Sequence, residues 1–134
     1  MRFLGVDYGT SRTGLALSDP LGLTCRPFAI LAERDEARVI LEILAAGKEQ
    51  LVDSIVVGVP RPLSGRANRQ MKNVLDFVER LERQATVPVV TWDERFTTSL
   101  AQKGRSRSEP QDAVAACYML QSYLDALTNT TRDG

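Results

Sequence analysis

Histidine is absent from the 134 residues, which removes several chemistries at once. Ser-His-Asp and Cys-His nucleophile systems, histidine general bases and imidazole-ligated zinc all need a side chain this chain does not have. Cysteine is scarce: Cys25 and Cys117 lie far apart and match no metal-ligand spacing. They read as small buried hydrophobes in a reducing compartment. Lysine is limited to Lys48, Lys72 and Lys103, so most cations are arginines, which suit bidentate phosphate contacts. No apolar run approaches the roughly 20 residues of a membrane span. The N-terminus shows no charged-then-apolar signal pattern, so the expected location is cytoplasmic, with no membrane partner. The 17 basic and 17 acidic residues cancel, and any affinity for nucleic acid has to come from local patches. Carboxylates, hydroxyls, lysine or a bound metal ion are left to carry chemistry.

Hydrophobic residues make up 43% of the chain and charged residues 25%, an ordinary balance for a globular protein with one modest core. One domain over 1–134 is expected, with Thr128 to Gly134 a frayed polar tail. Phe3–Tyr8, Gly14–Leu17 and Cys25–Leu31 read as strands joined by short turns, which predicts an antiparallel meander. Val39, Ile40, Ile43 and Leu44 recur at helical spacing within Glu33–Gln50, and Gly47 is expected to end that helix early. The continuous apolar run Ser54–Val59 reads as a strand buried on both faces. A polar loop, Arg61–Arg66, precedes a helix with the stripe Met71, Val74, Leu75, Val78 and Leu81. Val87–Trp92 is a further strand, then a short helix is expected over Thr97–Gln102. A last helix opens with Ser108 and Gln111 as a capping box and is expected to end near Leu127. The order predicts an α/β fold with a mixed sheet flanked by helices.

Asp7 interrupts an apolar strand, where an unpaired carboxylate costs several kcal/mol, roughly, unless a cation, a metal ion or donors meet it. Asp93 and Glu94 follow the last strand, and Asp112 falls in the first turns of the last helix, on one face with Ala115, Ala116 and Met119. If these ends converge, they form the oxygen-ligand cluster that hard ions such as Mg²⁺ or Mn²⁺ require. Each acid also has a structural explanation. Asp7 can end the strand, Asp93 can cap the next helix, Glu94 can pair with Arg95 at the surface, and Asp112 suits a helix N-terminus.

Four groups of residues carry a resemblance to a known family. Gly5-Val6-Asp7-Tyr8-Gly9-Thr10 with Arg12, Gly14, Ala16 and Ser18-Asp19-Pro20, then Ile55–Pro60, then Asp93–Thr98, then Asp112–Ala116 with Leu120–Asp125, resemble in order the YqgF family, also called RuvX. Its members are Holliday junction resolvase-like proteins and pre-16S rRNA nucleases. The resemblance implies an RNase H-like fold with a mixed five-stranded sheet. It also implies a hydrolase acting on ester bonds, with Asp7, Glu94 and Asp112 as catalytic and metal-binding carboxylates, Asp93 in reserve, and Mg²⁺ or Mn²⁺ as cofactor. The loop after Pro60 departs from the family's usual Leu-Asn-Met-Asp-Gly: it reads Arg61-Pro62-Leu63-Ser64-Gly65, which shifts it toward holding phosphate.

Arg61 and Arg66 at one loop and Lys103, Arg105 and Arg107 at another are placed to hold backbone phosphates. Tyr8 is read as a platform for a base or, equally, as a buried structural ring. Thr10, Arg12, Arg95, Thr97 and Thr98 complete the expected nucleic-acid contacts. The favoured function is processing of the 5′ end of pre-16S rRNA by a monomer or weak homodimer, since no long exposed apolar stripe demands a permanent dimer. Two other readings stay open: Holliday junction resolution on branched DNA, and a non-catalytic RNA-binding assembly factor. An Asp-x-Gly-Thr turn also occurs in actin-like and sugar-kinase ATPases, but these need two such domains and an adenosine pocket.

Overall fold

The computed structural model describes residues 1–97 and 111–133, and side chains for 1–97 and 113–129. Strands β1 (Phe3–Asp7), β2 (Thr13–Ser18) and β3 (Cys25–Leu31) form the expected meander, with β1–β2 and β2–β3 antiparallel. β4 (Ser54–Val59) and β5 (Val89–Asp93) lie parallel to β1 and give the order β3-β2-β1-β4-β5. Parallel strands need crossovers, and helices α1 (Glu36–Glu49) and α2 (Arg69–Gln84) provide them. β1, β4 and β5 therefore end on one side of the sheet. In such sheets ligands gather outside the carboxyl ends of the strands.

Side chains alternate between two cores. Leu4, Val6, Leu15, Leu17, Ile55, Val57 and Val59 face α1 and α2, where Val39, Ile40, Ile43, Val74, Phe77, Val78 and Leu81 meet them. Phe3, Ala16 and Val56 face the last helix, α3 (Gln111–Asp133), through Ala116, Met119, Leu120 and Leu124. Small residues let α3 sit close: a Cβ on Gly5 would stand 2.9 Å from Leu120 Cβ.

Local caps explain the helix starts. Asp35 accepts from Ala37 N at 3.0 Å, so α1 begins at Glu36 and not Glu33. Asn68 accepts from Met71 N at 2.9 Å and opens α2. Several expectations are corrected. Gly47 does not end α1 early, because it is buried inside the helix, which closes at Gln50. On α2 the stripe is Val74, Phe77, Val78 and Leu81, spaced i, i+3, i+4, i+7, and Leu75 falls off it to the solvent side. α3 continues to Asp133, past the Leu127 end, and Thr128 Oγ1 donates to Leu124 O at 3.0 Å. The chain turns at Glu94–Phe96 in a single 3₁₀ turn. The helix expected over Thr97–Gln102, beyond Thr97, and the Ser108 cap lie outside the described residues.

Candidate active site

Asp7 is the last residue of β1, opposite Gly14 across the antiparallel pair. Leu4 and Val6 point to the α1/α2 core and Phe3 to the α3 core, so strand alternation sends Asp7 to the α3 side. On β5, Val89 faces the α1/α2 core, while Val90 and Trp92 face α3. Asp93 thus falls on the α1/α2 side, and the 3₁₀ turn that follows swings Glu94 back to the α3 side. Two adjacent acids are separated by one reversal of the chain.

The two acids have different environments. Asp93 caps the turn by accepting from Arg95 N at 2.9 Å, and its carboxylate takes the Arg95 guanidinium at 2.7 Å from NH2 and 3.0 Å from Nε. Arg61 Nε approaches it at 3.6 Å. The Arg95 guanidinium in the first place, with the backbone bond and Arg61, holds the Asp93 carboxyl below its usual range. Glu94 lies against Asp7 instead. Burial pushes its carboxyl up, opposed by a side-chain hydrogen bond with Asp7 and reinforced by the charge of Asp93.

Asp7 and Glu94 line a cavity of about 250 Å³ with Gln70, Thr97, Ala115, Tyr118 and Met119. Gly58, buried on β4, leaves the room: a Cβ there would lie 2.7 Å from Glu94 Oε1 and 3.0 Å from Met119 Cγ. Thr97 Oγ1 is buried beside the pair without a hydrogen-bond partner among the described residues. A larger cavity of about 700 Å³ lies against Trp92, Phe96, Tyr118 and Ser122. The carboxylate pair lines the smaller cavity and not this one.

Among the described residues no group of three or more acidic or sulfur ligands gathers. Asp112 lies in the first turn of α3, and its side chain is outside the described set. The pair itself fits a hard divalent cation: two half-buried carboxylates line one cavity, in a space kept open by a glycine.

The remaining expected contacts fall in different places. Thr10 and Arg12 are exposed in the β1–β2 turn, at the same sheet end as Asp7. Arg66 is exposed in the loop before α2, beyond a turn in which Gly65 (φ +79°) donates to Pro62 O. Thr98, Lys103, Arg105 and Arg107 lie outside the described residues. Tyr8 stacks its ring on Phe77 at 4.0 Å and 7°, and its hydroxyl donates to Glu36 Oε2 at 3.3 Å, which fits the structural one of its two readings. Two readings are corrected. Arg95 pairs with Asp93 and not with Glu94. Cys25 and Cys117 are half-buried and in mutual contact, not separate core residues. Gln70 and Tyr118 were missed, because neither an exposed polar residue nor a lone helix tyrosine carries a signal in sequence.

The family model RuvX, described as Holliday junction resolvase, matches residues 1–126. A protein of Clostridium acetobutylicum named "Putative pre-16S rRNA nuclease" is 36% identical over 135 residues, 95% of this chain and 100% of that one. A Clostridium kluyveri protein of the same name is 37% identical over 136 residues, covering 96% and 99%. T. thermophilus RuvC, solved in complex with a Holliday junction substrate, matches with a TM-score of 0.67 at 17% identity over 97% of each chain. The yeast mitochondrial Holliday junction resolvase Ydc2 gives 0.57 at 9% identity, over 97% of this chain and 80% of that one. These two likenesses concern the fold, an RNase H-like mixed sheet.

Proposed function

Because this chain belongs to the RuvX family, we propose that it is a divalent-metal-dependent nuclease that hydrolyses phosphodiester bonds, acting on the 5′ end of precursor 16S rRNA. The single observation that carries the reading is the meeting of Asp7 and Glu94, from distant segments of the sequence, in one cavity at the carboxyl end of the parallel strands. Asp7 and Glu94 would hold Mg²⁺ or Mn²⁺, with Asp112 as the third carboxylate. Bound there, such an ion activates water and stabilises the leaving oxygen of a phosphodiester.

The chain's own groups do the rest. Burial pushes the Glu94 carboxyl up, and its side-chain hydrogen bond with Asp7 opposes that shift. Thr97 Oγ1 offers a buried hydroxyl beside the carboxylates. Arg61 and Arg95 share one acid, Asp93, which leaves the cluster with a net positive charge next to the site. It can receive a backbone phosphate without base selectivity.

The choice of RNA rests on the name carried by relatives at 36 and 37% identity over nearly their full length. Trimming an RNA end needs one site per chain, whereas resolving a junction needs two opposed sites. The test compares Mn²⁺-dependent cleavage of single-stranded RNA bearing the 16S precursor end with cleavage of a four-way DNA junction. RNA cutting at the precursor end is the expected result; exclusive, symmetric cutting of the junction overturns the RNA reading and favours the resolvase.

A further inference from the structure

Cys25, first residue of β3, and Cys117, in the second turn of α3, are brought together by the fold with their sulfurs 3.2 Å apart. Cys25 Sγ also lies 3.1 Å from Cys117 O. Independent contacts hold the two elements in place. Gln121 Nε2 donates to Leu23 O at 2.9 Å, and both cysteines pack against the cluster of Phe3, Ala16, Leu120 and Leu124. The thiols are therefore presented to each other by the scaffold. Joining them needs the sulfurs to close by about 1.2 Å, to the ordinary disulfide length.

We propose that Cys25 and Cys117 form a redox-modification site, which a small hydroperoxide such as hydrogen peroxide converts to an intramolecular disulfide tying α3 to β3. The two thiols are not equivalent. The hydrogen bond between them, with burial, pushes the Cys25 thiol up, and the same bond brings the Cys117 thiol down. With the Cys25 thiol turned to donate to Cys117 O, Cys117 is assigned the role of nucleophile. Its thiolate attacks a peroxide oxygen and becomes a sulfenic acid as hydroxide leaves and takes up a proton. The Cys25 sulfur then attacks the sulfenic sulfur, its proton leaves with the departing oxygen as water, and the S–S bond forms. Two thiols are oxidised by two electrons and one peroxide is reduced to two waters.

A cavity of about 290 Å³ lined by Arg2, Cys25 and Arg26 opens on the Cys25 side of the pair, and Cys117 beside it is itself only half-buried. The consequence falls on the helix that walls the carboxylate cavity, since Ala115, Tyr118 and Met119 flank Cys117 on α3. Oxidation fixes that wall to the sheet. The bond forms whatever nucleic acid the carboxylate cavity cleaves.

The test uses the full chain, reduced, exposed to hydrogen peroxide, quenched with an alkylating reagent and weighed intact without reductant. The expected species is a monomer lighter by two hydrogens and free of alkyl label, with a Cys25–Cys117 linked peptide that reductant reverses. Its melting temperature rises by about 5–15 °C. Cys25→Ser leaves Cys117 as a sulfenic acid trapped by a dimedone probe, and Cys117→Ser gives no linkage. Two alkylated thiols after oxidation, a disulfide between chains, or a linked form that melts lower than the reduced one each overturn the proposal.

Discussion

Gly58 leaves the space in which the Glu94 carboxylate stands, since a Cβ there would lie 2.7 Å from Glu94 Oε1. The crowded atom is the end of a flexible side chain, so Gly58→Ala is expected to displace Glu94 more than it disturbs the sheet. Met119 Cγ, at 3.0 Å, has to give slightly as well. The variant should fold with a loss of about 1 kcal/mol, while cleavage falls by about 10²-fold through misplacement of one carboxylate. Melting curves and single-turnover cleavage rates, measured together, check the split. Full activity with an intact fold would detach Glu94 from the chemistry.

Tyr8 and Phe77 fix the segment that carries Asp7. Tyr8→Phe keeps the stacked ring and loses only the hydroxyl bond to Glu36, so a stability change of about 1 kcal/mol or less is expected. Tyr8→Ala removes the stacked pair and should cost about 2–3 kcal/mol. Denaturant melts give both values. Binding of single-stranded RNA should be unchanged in Tyr8→Phe; a selective loss of binding in that variant would return Tyr8 to the nucleic-acid surface.

Arg80 binds Glu36 through Nε and NH2, and that pair lowers the Glu36 carboxyl below its ordinary range, with a smaller contribution from the Tyr8 hydroxyl. The folded protein therefore binds fewer protons at Glu36 than the unfolded chain does. The stabilisation is full above glutamate's ordinary pKa of about 4.3 and is lost as pH falls through the lowered value. Glu36→Gln should melt a few degrees below the parent protein at pH 7, and the difference should close as the pH drops into the acid range. Melting temperatures of the two proteins across that range test the sign; a gap that widens toward low pH contradicts it.

Leu51 adopts φ +56° just after the end of α1, with its side chain exposed. Glycine or asparagine is the usual residue in this position. Leu51→Asn should stabilise the fold by about 0.5–1 kcal/mol, read from urea denaturation with an unchanged m-value. A loss of stability would mean that the leucine packs against Leu44 and Val87 more tightly than its exposure implies.

Much of the fold was readable because its signals are local. The turns after Asp7 and Asp19 mark the meander, Ser54–Val59 announces a strand buried on both faces, and Asp7 stands out as an acid in an apolar run. Tertiary placement was not readable. Asp93 and Glu94 are neighbours of one chemical type, and only the 3₁₀ turn assigns one to two arginines and the other to Asp7. The Tyr8–Phe77 stack and the Cys25–Cys117 contact join residues from distant segments, which no periodicity connects. The run of α3 past Leu127 was hidden by polar composition, although α3 needs its apolar face only as far as Leu124.

The central claim is that the Asp7–Glu94 pair holds the divalent ion with which the protein cuts nucleic acid. Single-turnover cleavage of precursor 16S RNA, titrated with Mn²⁺ for the parent protein and Asp7→Asn, tests it most directly. The account predicts that cleavage depends on Mn²⁺ and that Asp7→Asn loses on the order of 10³-fold in rate at every Mn²⁺ concentration, with the fold and RNA binding retained. Undiminished cleavage by Asp7→Asn, or cleavage by the parent protein in excess chelator, would contradict it.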